Sequence, residues 1–190
     1  MDEMPDSIVV KRLVRNLQYR QTYIRAFGLF LEPEPHPEVV RLLHVLIGAQ
    51  ESAVVQLSRH LQDMGVEAES LPLVQKLLDH ASSRKDVRSR MRFIHYGLTK
   101  AVSWYKQQLV DREMTADPDL KQLLFELGEK EAAGLWRTQM TMDRLGIRDK
   151  PAKKAPSGVS RTEPVHREHW RSSQMDHTRR PARSGERRLP

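Results

Sequence analysis

The 190-residue chain has no cysteine, which excludes disulfides, thiolate metal ligands and cysteine nucleophiles. No apolar run is long enough to cross a bilayer, and no early apolar run resembles a signal peptide. The expectation is a soluble cytoplasmic protein with no membrane partner. The chain also lacks a Gly-rich phosphate loop, a His-Glu-x-x-His pair, a nucleophile elbow and any repeated Cys/His spacing. The usual signatures of nucleotide, zinc-protease and serine-hydrolase chemistry are therefore missing.

Charge is present but unevenly placed. The formal net charge is +7. Residues 150–190 hold 11 Lys/Arg and 4 Asp/Glu, which leaves 21 of each sign in residues 1–149. The body is neutral and the tail carries the whole imbalance. That tail has no apolar periodicity and is rich in Pro, Ser, Arg and His, so it cannot bury enough surface to offset its ordering entropy. Two units are expected: a folded domain over 1–149 and a disordered basic tail over 150–190.

Helical periodicity fills the body. Val10, Leu13, Leu17, Ile24 and Leu31 recur at helical spacing in a first helix starting at Asp6 or Ser7. Pro37 opens a second helix that Gly65 stops. A connection of about 20 residues follows, with a short helix around Leu71–His80. A third long helix is expected from Ser83 to Arg112. Asp117 and Pro118 start a fourth, which ends at Leu145 and Gly146. Helices of about 26–30 residues are roughly 40 Å long. The two short links make antiparallel hairpins, and the long middle link is just able to recross the bundle.

Leu42–Gly65 and Leu123–Gly146 align without a gap, 81 residues apart. Leu42, Leu43, Leu46, Val54, Leu61, Met64 and Gly65 fall opposite Leu123, Leu124, Leu127, Leu135, Met142, Leu145 and Gly146. This pattern points to a duplicated two-helix hairpin.

Two hairpins, one crossover and a repeat resemble the ferritin-like superfamily, especially bacterioferritin and rubrerythrin-type proteins, over about residues 7–147. The resemblance implies an all-α four-helix bundle with helices A to D and a long B–C crossover. It also implies Glu-x-x-His on helices B and D, and on A and C a Glu with a Tyr seven residues later, around two metal ions. In helix D the motif falls on Glu131 and Gly134. In helix B it falls on Gln50 and Ala53. In helix A, Tyr23 matches and Asn16 precedes it by seven; in helix C, Tyr105 matches and Leu98 precedes it by seven. Of six ligand positions only Glu131 keeps its type, so the di-metal centre is expected to be absent, with no cofactor. Shifting helix B by one residue recovers Glu51 but puts Val54 where the histidine belongs.

The remaining readings stay side by side. Glu131 is either a buried carboxylate bonded to Tyr or Asn, or part of a relocated metal site with His95, His44 or Glu51. Ala53 and Gly134 either let helices pack closely or leave room for a small ligand. The tail is either idle or binds nucleic acid or an acidic protein. Lys153 and Lys154, then Arg179, Arg180 and Arg183, then Arg187 and Arg188 would meet phosphates, and Trp170 would stack on a base. The leading expectation is a non-enzymatic binding or structural module, forming a homodimer.

Overall fold

Side-chain caps and first-turn prolines mark several of the helix boundaries in the computed structural model, which describes residues 7–32, 34–67 and 71–148. Among these residues the protein is all-α. Helix α1 spans Ile8–Leu31, α2 Pro37–Asp63, α3 Gln75–Ser82, α4 Val87–Gln108 and α5 Pro118–Arg144. Proline occupies the first turn of α2 and of α5, and the Asp117 carboxylate accepts from the Asp119 N–H. No helix among the described residues is long and apolar enough to cross a membrane.

The equivalent helices α2 and α5 end alike. Gly65 and Gly146 take positive φ angles of 77° and 64°. The next N–H, from Val66 or Ile147, reaches back to the carbonyl of Leu61 or Met142 at 2.9 and 2.8 Å. Each terminus is a Schellman motif closed by a buried apolar residue.

The middle helices depart from expectation at their ends. Helix α4 starts at Val87, not Ser83, because the Asp86 carboxylate caps the Ser89 N–H at 2.9 Å. Ser83 instead closes α3, its N–H bonded to the Asp79 carbonyl. At the other end α4 stops at Gln108 rather than Arg112. There Asp111 turns back to accept from the Glu113 and Met114 N–H groups, and Met114 is buried. The connecting helix begins at Gln75 rather than Leu71, because the Val74 N–H is held by Thr22 Oγ1 of α1.

Contacts along the helices fix their directions. Arg12, early in α1, pairs with Asp111 just beyond α4 at 2.8 Å. Phe30, late in α1, meets Phe93, early in α4, edge to face at 5.7 Å between centroids. These two helices therefore run antiparallel. Helices α2 and α5 do too, since Glu38 approaches Arg144 and Gln56 approaches Lys130. With α1 and α2 joined by a short link, α2 and α4 point the same way.

The apolar core comes in two halves. One gathers Leu13, Leu17, Leu57, Leu61, Leu120 and Leu124; the other gathers Phe27, Phe30, Leu43, Met91, Ile94 and Met142. Between them lies a layer of polar side chains.

Candidate functional site

Helix α1 contributes an unexpected group to that layer. Arg20 is only 4% exposed, and its position between Leu17 and Phe27 puts it on the buried stripe. A buried guanidinium needs an anion and acceptors for its five donors. Three other helices supply most of them. Nη1 lies 2.8 Å from Glu131 Oε1 of α5 and donates to Gln50 Oε1 of α2, also at 2.8 Å. Nη2 donates to the Tyr105 hydroxyl of α4. Nε donates to Asn16 Oδ1, one turn back on α1, at 3.0 Å.

The partners also bind one another. Gln50 Nε2 donates to Glu131 Oε1 at 2.9 Å, and the Tyr105 hydroxyl donates to Asn16 Oδ1 at 2.9 Å. The amide of Gln50 thus faces a cation with its oxygen and an anion with its nitrogen, so only one flip of that amide satisfies both. Gln50 and Glu131 are the equivalent residues of the 81-residue repeat, bonded directly to each other.

The electrostatics follow from this packing. Burial works to lower the Arg20 pKa, but Tyr105 and Glu131 together outweigh it and the net shift is upward. Burial raises the Tyr105 pKa, with the Arg20 charge opposing it. Tyr23 is pushed up to about 12, first by burial and then by the nearby Glu131 charge. Both phenols therefore stay protonated at neutral pH.

Beside the pair lies a cavity of about 40 Å³, bounded among others by Tyr19, Tyr23, Gly97, Leu98 and Ala101. It has room for water but is far below the several hundred Å³ of a cofactor or drug-sized ligand site. Gly97 makes the wall thin: a Cβ there would lie 2.6 Å from the Tyr23 hydroxyl. Gly134 is a milder case, where a Cβ would come within 3.1 Å of a Leu46 methyl. Ala53 is buried in the first half-core.

The layer thus brings together Asn16, Gln50 and Glu131, with Leu98 and both tyrosines on the cavity wall. It does not assemble the relocated metal site. His44 and Glu51 are exposed on α2, and His95 is half-buried on α4. Among the described residues no three His, Asp or Glu side chains converge. Nor does the donor set suit a metal pair. The one carboxylate already holds a permanent cation 2.8 Å away, and two divalent ions there would meet like charge with a single anion to offset them.

Arg20 was not among the expected site residues. Its signal was a charge on an apolar stripe, three residues after Leu17 and four after Asn16. Lys153, Lys154, Arg179, Arg180, Arg183, Arg187 and Arg188 lie outside the described residues, as does Trp170 and the rest of the 150–190 segment. Comparison of the chain with family models, curated proteins and solved structures finds no match in any of the three.

Proposed function

We propose that the chain is a ferritin-like four-helix bundle in which a guanidinium takes the place of the metal pair, serving as a non-enzymatic structural or binding module. The observation that carries this reading is Arg20. One side chain draws Asn16, Gln50, Tyr105 and Glu131 from four helices onto a single cation. A metal centre does the same with ligands on facing helices. The antiparallel pairings of α1 with α4 and α2 with α5, and the matching ends of α2 and α5, support the bundle and its crossover.

The arrangement holds charge rather than moving it. Arginine does not give up its proton in proteins, and the carboxylate beside it accepts from two donors. Elemental analysis of protein purified without chelator and equilibrated with iron(II), manganese(II) or zinc(II) tests the reading. Substoichiometric metal is expected, unchanged by Glu131→Ala. Stoichiometric metal lost in that variant would establish instead a metal-binding protein with a non-standard site around Glu131.

A second reading rests on charge alone. Residues 150–190 carry 11 Lys/Arg against 4 Asp/Glu beside a neutral body, a composition suited to nucleic acid or an acidic protein surface. It predicts DNA or RNA binding that weakens steeply with salt and disappears on truncation after Asp149. Equal binding by the truncated chain would refute it.

A further inference from the structure

Helix α5 carries a second apolar face, away from the core. Its buried stripe includes Leu120, Leu124, Leu127, Glu131 and Thr138. On the opposite side Phe125 is 51% exposed, Trp136 65% and Met140 37%. At 100° per residue, Ala133 marks the middle of that outer face. Asp119, Glu126 and Glu129 with Lys130 sit on its N-terminal half, and Arg137, Asp143 and Arg144 on its C-terminal half. All seven are exposed. The half-faces therefore carry two net negative charges and one net positive charge on one helix.

A face polarised this way is complementary to itself when a copy is laid against it in reverse. We propose that the outer face of α5 is a two-fold interface with a second copy of this chain. The two α5 helices run antiparallel and cross near Ala133. A two-fold axis lying between the helices, perpendicular to them and level with Ala132, sets Arg137 against the partner's Glu126 and Arg144 against the partner's Asp119. Trp136 then stands within a turn of the partner's Phe125. Each contact occurs twice, as an isologous interface requires.

Arg144 is available for the exchange, since its contact with Glu38 spans 4.0 Å between exposed groups. The area is also adequate. Beside α5 the outer side of α2 adds exposed Val45 and Val55, with Gly48 leaving open space between them. Two 27-residue helices, each roughly 40 Å long and about 10 Å apart, offer about 800 Å² per copy. That is the size of a standard specific interface.

Sedimentation and light scattering of the full chain test the proposal. The expected mass is twice the 22.1 kDa of one chain. Trp136→Glu, at an exposed position, is expected to give a monomer with unchanged helical content. Arg137→Glu is expected to raise the dimer Kd about tenfold or more, and adding Glu126→Arg to restore it. A wild-type chain that stays monomeric through the micromolar range overturns the proposal. So does a dimer indifferent to both single substitutions, or a charge reversal that the double variant fails to rescue. The readout does not depend on the bundle centre, so a metal found there would leave it standing.

Discussion

The α1–α2 and α4–α5 hairpins resemble each other at their ends and differ at their middles. Helices α2 and α5 are both 27 residues long, start with proline in the first turn and finish in the same glycine-closed motif. At the centre the first hairpin supplies a cation and two amides, Arg20, Asn16 and Gln50. The second supplies an anion and a phenol, Glu131 and Tyr105. Two halves that each brought a carboxylate to the centre would need a cation from elsewhere to hold them together. Here the cation is a side chain of one half. The difference is complementary, and it joins the two hairpins.

The largest expected effect comes from removing one side of that difference. Glu131→Ala leaves Arg20 buried and charged without its counterion, and should lower stability by about 3–5 kcal/mol in urea unfolding. Asn16→Ala or Gln50→Ala keeps the ion pair and removes a hydrogen-bond partner, a loss of about 1–3 kcal/mol. Combining Arg20→Met with Glu131→Leu should cost clearly less than the two single changes added, with a coupling of about 0.5–3 kcal/mol. Strict additivity would mean that the hairpins are not linked through these charges.

The glycines sharpen the contrast one step lower. Tyr23 of the first hairpin packs against Gly97 of the second, where a Cβ would sit 2.6 Å from the hydroxyl. Gly97→Ala must push the ring aside and is expected to cost about 1–3 kcal/mol by thermal unfolding. At Gly134 the added Cβ would meet flexible side-chain ends, Leu46 at 3.1 Å and Leu98 in ordinary contact at 3.7 Å. Better helix propensity, worth about 1 kcal/mol for Ala over Gly, offsets that contact, so Gly134→Ala should be near neutral. The matched ends make the opposite prediction. Gly65→Ala and Gly146→Ala both force a Cβ into positive φ and should cost about 1–2 kcal/mol each, equal to within a few tenths. Unequal losses would break the equivalence of the two hairpins where it is strongest.

The ends were legible in the sequence for the same reason they are equivalent. Pro37, Gly65, Asp117 with Pro118, and Gly146 each act locally, through a fixed φ, a positive φ or a cap, and need no partner far along the chain. The start of α4 was misplaced at Ser83, since serine and aspartate both cap helices and only the Asp86–Ser89 bond fixes the boundary. The centre was half legible. The register of the repeat put Gln50 opposite Glu131, and the structure bonds them. Arg20 was hidden because it belongs to no ligand position. Its partners lie 30, 85 and 111 positions away along the chain, at Gln50, Tyr105 and Glu131, so nothing local marks it except its place on an apolar stripe.

The smallest effect separates the two tyrosines, one from each hairpin. Tyr23 has a folded pKa of about 12 against an ordinary 10.0. Below pH 10 its contribution to stability is fully present. Between pH 10 and about 12 the unfolded chain releases the proton while the folded one keeps it, so stability falls as pH rises. Tyr23→Phe should therefore leave the Tm at pH 7 nearly unchanged and flatten its decline above pH 10. Tyr105 is also raised by burial, yet its hydroxyl accepts from Arg20 and donates to Asn16. Tyr105→Phe should lower the Tm already at pH 7, because it strips a partner from the buried cation. Thermal melts of both variants from pH 7 to 12 decide the matter. A pH-7 loss in Tyr23→Phe as large as that in Tyr105→Phe would mean that Tyr23, and not Tyr105 alone, belongs to the charge network of the centre.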